Sequence, residues 1–208
     1  MMILANDSRQ KLPVVLASAS ATRAAILKGA GVGFSIHAAQ INETSVKHSM
    51  HSANCSALDT AQALSDLKAS QVSLGYPETL VIGGDQMLVC GDTWLDKPSD
   101  LISAREQLCL LRGRNHELLT AVSVARGGTV IWRFSVISEL VMRRFSDEFL
   151  DRYVESEKEH VCNSVGGYRL EGLGVQLFSR INGEYHDILG MPLMALLSFL
   201  REHGAVEE

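Results

Sequence analysis

In the stretch Val81-Ile82-Gly83-Gly84-Asp85-Gln86-Met87-Leu88-Val89-Cys90, an acid and an amide interrupt an apolar run. An ionised carboxylate placed in a core without a partner costs several kcal/mol, so Asp85 calls for a cation, a hydrogen-bond cage or water beside it. Other groups with chemical potential lie on either side. Leu16-Ala17-Ser18-Ala19-Ser20-Ala21-Thr22-Arg23 places two hydroxyls after an apolar segment and an arginine one helical turn further on. Hydroxyls and an arginine at a helix N-terminus suit a phosphate, although a plain serine cap with a surface arginine has the same pattern. Lys97 precedes Pro98, which holds it extended and would aim its ammonium across a cleft; a solvated loop lysine is the alternative. Glu43 follows a strand-like segment, and Lys68 falls in a helical pattern beyond it. Two carboxylates and two lysines meet the needs of metal-assisted phosphoryl chemistry: oxygen ligands for a hard cation, a base for water, and cations for phosphates.

The elements that must position these groups alternate. Residues 12–18 read as a short buried strand and 20–31 as a capped helix ending at Gly29 or Gly31. Residues 34–41 alternate like a strand, 42–54 read as polar and irregular, and 54–73 carry helical apolar spacing with Asn54 or Ser56 as cap. The strand containing Asp85 is followed by a turn into Trp94-Leu95, then by a helix capped at Ser99 or Asp100 and stopped at Gly113. Residues 116–145 read as two long strands around Gly127-Gly128. A capped helix at 146–156, a glycine-rich loop at 161–174, a strand from 175 and a closing helix behind Pro192 complete the chain. Gly166, Gly167, Gly172 and Gly174 either admit a ligand to that loop or serve its turns. Helices alternating with strands and interrupted by hairpins predict an α/β fold, a mixed sheet with flanking helices.

Composition narrows the class. At 208 residues the chain is expected to form a single domain over 12–203 after an N-terminal extension at 1–11. A net charge of −5 without a Lys/Arg block gives no footprint for DNA or RNA. The longest apolar run, Gly190 to Leu200, is too short for a membrane span, and the chain start has no secretory pattern, so a cytoplasmic location is expected. Cysteines at 55, 90, 109 and 162 have neither zinc nor disulfide-framework spacing. Walker-type and Rossmann-type glycine motifs do not occur.

Taken in order, the motifs resemble those of the Maf family of nucleotide pyrophosphatases from about Leu16 to Leu200. The resemblance rests on Leu16 to Arg23, Asn42-Glu43, Lys68, Gly83-Gly84-Asp85-Gln86, Asp96-Lys97-Pro98, His116 with Thr120, and Tyr168 through Gly172. It implies an elongated fold of two lobes around a central cleft, similar to inosine triphosphate pyrophosphatases. It further implies Mg²⁺ or Mn²⁺ and hydrolysis of a nucleoside triphosphate to the monophosphate and pyrophosphate, with a homodimer as a family-level expectation. On this basis Asp85, Lys68 and Lys97 are the expected catalytic groups, with Asp85 as base, and Glu43 and Asp85 the metal ligands. Ser18, Ser20, Thr22, Arg23, Gln86 and Glu171 are the expected substrate contacts, while His116 is expected to be structural. Thr22, Ala21 and Ser164 depart from an arginine, a proline and a lysine in the family pattern. Gln86 and Glu171 resemble the branch acting on 7-methyl-GTP, since a carboxylate can accept from the N1–H and N2 amine of a guanine edge. The alternatives are the dTTP/UTP activity of the sister branch and a non-catalytic nucleotide-binding regulator of septum formation.

Overall fold

A computed structural model describes residues 11–158 and 160–207, so residues 1–10 of the extension expected at 1–11 lie outside the described residues. Seven strands form one mixed sheet: β1 (Val14–Leu16), β2 (Ser35–Ile36), β3 (Leu80–Cys90), β4 (Thr93–Leu95), β5 (Asn115–Arg126), β6 (Thr129–Met142) and β7 (Phe178–Asn182). Their order is β2-β1-β3-β5-β6-β7, with β4 on β3. The pairs β2/β1 and β1/β3 are parallel, and the remaining pairs are antiparallel. Gly127 and Gly128 turn β5 into β6 with φ of +56° and +84°, a conformation that glycine adopts without the Cβ penalty.

The helices are α1 (Ala21–Gly29), α2 (Glu43–Ser52), α3 (Ala57–Ser73), α4 (Leu101–Leu111), α5 (Asp147–Ser156), α6 (Tyr185–Ile188) and α7 (Leu193–Glu202). Side chains of Ser20, Ser56, Asp100 and Ser146 cap α1, α3, α4 and α5 by accepting from first-turn amides. Among the described residues, the two larger of four hydrophobic clusters divide the sheet. Leu16, Leu27, Ile82, Val122, Leu196 and Phe199 pack one end under α1 and α7. Leu88, Leu108, Leu118, Leu140, Leu150 and Tyr168 pack the other under α4 and α5. β3 and β5 run through both.

On one edge of β3, β1 pairs only with Leu80 to Ile82 and β4 only with Leu88 to Cys90. Between them, residues 83–87 have no strand neighbour on that side, while β5 covers the other. The gap opens the sheet at the boundary of the two cores, and Asp85 is at its centre.

Three readings of the sequence need correction. Residues 42–54 are largely the helix α2, capped by Asn42 through Ser45 N at 3.0 Å, so Glu43 occupies a first helical turn instead of a loop. No residue of α2 is buried, so it carries no apolar stripe for a periodicity argument to detect. The segment 34–41 contributes only the exposed two-residue edge β2. Residues 173–177 form a 3₁₀ turn, delaying β7 to Phe178, and the short α6 breaks the approach to α7.

Candidate active site

Strand alternation sends Asp85 and Gln86 to opposite faces of β3. Asp85 faces α3 because Gly83, two residues earlier on the same face, lets that helix lie directly on the strand; a Cβ there would sit 2.3 Å from Ser65 O. One turn along, Lys68 Nζ lies 2.7 Å from Asp85 Oδ1 and 2.7 Å from Glu43 Oε1, bridging the two carboxylates. Lys68 and Asp85 are buried, whereas Glu43 is half exposed. Burial raises the Asp85 carboxyl above the usual carboxylate range, and the charge and hydrogen bond of Lys68 oppose this without reversing it. For Glu43 the balance falls the other way. Burial would raise it, but the hydrogen bond and charge of Lys68, with Lys47 and Lys97 beyond, hold it below its ordinary value.

Asp85 Oδ2 is buried with no hydrogen-bond partner. A lone carboxylate oxygen in such a place is costly unless a cation, water or donor completes it, so a divalent ion fits there together with Glu43. Among the described residues no group of three or more His, Cys, Asp or Glu is placed to hold an ion by itself. A hard cation would therefore take most of its oxygens from water and phosphate, as Mg²⁺ commonly does.

Arg23 is buried, contrary to the surface alternative. Its Nη1 donates to Gly84 O at 2.9 Å and to Ser18 Oγ at 3.2 Å, and its Nε donates to Gly190 O at 2.8 Å. The guanidinium thus serves the unpaired edge of β3 and brings a fixed positive charge behind Asp85. Ser18 Oγ also accepts from Ser20 N at 3.2 Å, and Ser20 Oγ accepts from Arg23 N at 3.3 Å. Acting as acceptors in these bonds, both hydroxyls keep a hydrogen for a phosphate oxygen.

The opening is one cleft with two contiguous halves. The first, about 490 Å³, is lined by Ser18, Arg23, Glu43, Lys47, Lys68 and Asp85. The second, about 430 Å³, is lined by Leu118, His160, Tyr168, Arg169, Glu171 and Ile188. Ser20, Thr22, Gln86 and Lys97 line both. Lys97 stands at this junction, where burial first, and the charge of Arg23 next, lower its ammonium below the ordinary lysine value.

The structure thus brings together every residue named from the sequence for metal and phosphate, and places Glu171 apart in the second half. There Glu171 lies 3.6 Å from Arg169 Nε, and Arg169 Nη1 is 3.4 Å from Glu157. Gln86 Nε2 donates to Thr120 Oγ1 at 2.7 Å and to Ile188 O at 3.0 Å, so the amide hydrogens are committed to the protein and the carbonyl oxygen is what it can offer a ligand. Gly166 and Gly167 have φ of +76° and +69°, so they serve the turn of the loop. Buried His116 bonds to the Tyr168 hydroxyl at 2.9 Å, a structural role. Lys47 and Arg169 were not identified from sequence. Lys47 follows Glu43 by four residues, a spacing that carries meaning only once α2 is known to be a helix.

A mixed α/β sheet opened at its centre, with an acidic pair and several cations at the opening, defines a class of cleft proteins suited to anionic, phosphate-bearing ligands. Residues 13–203 match the family model described as Maf-like protein, and the chain belongs to the Maf family. It is 49% identical over 195 residues to a nucleoside triphosphate pyrophosphatase of Granulibacter bethesdensis, covering 94% of this chain and 99% of that protein. It is 41% identical over 194 residues to a 7-methyl-GTP pyrophosphatase of Rhizobium meliloti, covering 93% and 98% respectively. Among the described residues no helix is long and apolar enough to cross a membrane.

Proposed function

We propose that the protein is a cytoplasmic nucleoside triphosphate pyrophosphatase that places the triphosphate in the half of the cleft around Asp85 and the base in the half around Glu171. The orphaned Oδ2 of Asp85, at the floor of a cleft rich in cations, carries this reading. The names of the relatives support the reaction, and the net charge of −5 favours a free nucleotide over a nucleic acid.

In this mechanism Glu43 and Asp85 would hold Mg²⁺ or Mn²⁺, which would neutralise phosphate charge. Asp85 takes a proton from the water that attacks the α-phosphorus. The new P–O bond forms as the bond to the α,β-bridging oxygen breaks, and pyrophosphate leaves with the electron pair. In the metal-free protein burial raises the proton affinity of Asp85, the direction that suits a base. Lys68 holds the two carboxylates at fixed separation, so its contribution is positioning as much as charge. Lys97 at the junction, the α1 turn with Ser20 and Thr22, and Arg23 behind it accommodate the phosphates.

For the base we favour guanine, 7-methylated in the preferred substrate. Glu171 can accept from N1–H and the N2 amine, and Gln86 can present a carbonyl oxygen. The positive charge of a 7-methylated guanine adds an attraction to Glu171 that neutral bases lack. The test is pyrophosphate release with Mg²⁺, and separately with Mn²⁺, from 7-methyl-GTP, GTP, UTP, dTTP and CTP, with Asp85→Asn in parallel. Preference for 7-methyl-GTP, lost in the variant, is expected. A pyrimidine preference would overturn the assignment of the base, and no turnover of any nucleotide with either metal would overturn the enzyme.

A further inference from the structure

Lys47 has no role in the proposed mechanism, and giving it one rests on the polyphosphate reading of the cleft. It projects from the same face of α2 as Glu43, one turn along. It lines the half of the cleft assigned to phosphate and not the half assigned to the base. Its side chain is 21% exposed, and its ammonium is paired with Asp96 Oδ1, on a side chain that is 73% exposed. The Asp96 carbonyl accepts from Gln107 Nε2 at 3.0 Å, so the loop backbone is held while the carboxylate stands in water. Lys97 is the next residue, and the charges of both Lys47 and Lys97 reach Glu43.

We propose that Lys47 is a further polyphosphate-binding residue at the end of the cleft remote from the base, and that Asp96 is its exchangeable counterion, displaced when the terminal phosphates enter. An ion pair with one carboxylate mostly in water is weakly held. A terminal phosphate brings more charge and more acceptor oxygens, and charge-assisted bonds of this kind are the stronger ones. Placed between Lys47 and Lys97, it gains two cations while Asp96 turns to solvent at little cost. The pair thus links α2 to the β4–α4 connection in the free protein.

Calorimetric titration with inorganic tripolyphosphate tests this on the full chain, independently of turnover. Lys47→Met is expected to weaken binding on the order of tenfold, and Lys47→Arg to restore most of it. Asp96→Asn is expected to tighten binding roughly two- to fivefold, because it removes a weak competitor. The double variant should match Lys47→Met, and binding of GMP should respond to neither change. With nucleotide as substrate, the loss in Lys47→Met should fall on KM more than on kcat. Wild-type affinity in Lys47→Met, or weakened binding in Asp96→Asn, overturns the exchange, as does failure of the wild type to bind tripolyphosphate. If tripolyphosphate binds as expected but no nucleotide is hydrolysed, the pyrophosphatase reading fails and the assignment of Lys47 stands.

Discussion

Replacing Gly83 by alanine probes the contact on which the spacing of the site depends. A Cβ built there lies 2.3 Å from Ser65 O, 2.7 Å from Ala69 N and 3.0 Å from Ala69 Cβ, all on α3. Ordinary contact begins at 3.4 Å, so the helix backbone must retreat by 3.4 − 2.3, about 1.1 Å. Backbone cannot rotate out of the way as a side chain can. The retreat stretches the bond from Ser65 Oγ to Gly83 O at 3.2 Å and the Lys68 to Asp85 pair at 2.7 Å. Overpacking of this kind costs about 1–3 kcal/mol, which for a chain of this size lowers Tm by roughly 2–12 °C. Misplacing a catalytic group by about 1 Å costs on the order of a hundredfold in rate. Thermal unfolding and pyrophosphate release read the two effects separately. Gly84→Ala is the milder comparison, because the three atoms nearest its Cβ all belong to the Arg23 side chain, at 3.2–3.5 Å, and no helix backbone has to retreat from them. Wild-type Tm and kcat in Gly83→Ala would refute the packing argument; a lowered Tm with unchanged kcat would refute the claim that this contact sets the spacing of Asp85 and Lys68.

Asp85→Asn should lower kcat by about 10²–10⁴ while nucleotide binding persists, measured by turnover and by titration with a non-hydrolysable triphosphate. Lys68→Met leaves two carboxylates facing each other and one of them buried without its cation; a loss of about 3 kcal/mol in denaturant unfolding is expected, together with weakened activity. His116, 2% exposed, is lowered by burial from 6.5 to about 4. Between these values the unfolded chain binds the proton and the folded chain does not. Its contribution is therefore complete above pH 6.5 and falls as pH drops toward 4, by up to about 3 kcal/mol. Unfolding midpoints across that range should be flatter in His116→Gln than in the wild type. Glu171→Gln should shift the nucleotide preference away from 7-methyl-GTP with little loss of kcat on the nucleotide it then prefers, read from kcat/KM across the same panel.

The legible parts of this protein were those with strong local signals. Ser20, Ser56, Asp100 and Ser146 are caps because their short polar side chains compete for first-turn amides, and the Gly127-Gly128 hairpin follows from the left-handed backbone that two adjacent glycines permit. Asp85 stood out because an acid inside an apolar run must be compensated, and Lys68 supplies that compensation. α2 was not legible because an exposed helix owes nothing to an apolar stripe, and with it went Lys47, whose position depends on the helical spacing from Glu43. Arg23 illustrates the same limit. Its place one turn into a helix was readable, but only the sheet shows that it serves backbone carbonyls at an edge that strands leave open.

The alternation of helices and strands, the family resemblance and the residues worth suspecting were all readable from the chain alone, because they depend on local propensity and on order along it. Which suspects meet was settled by the folded arrangement. The gap between β1 and β4 along one edge of β3, the helix laid on Gly83, and the partition of the cleft between Asp85 and Glu171 all arise from long-range pairing and close packing. Distances of that kind are set by contacts between residues far apart in the chain, and no local pattern encodes them.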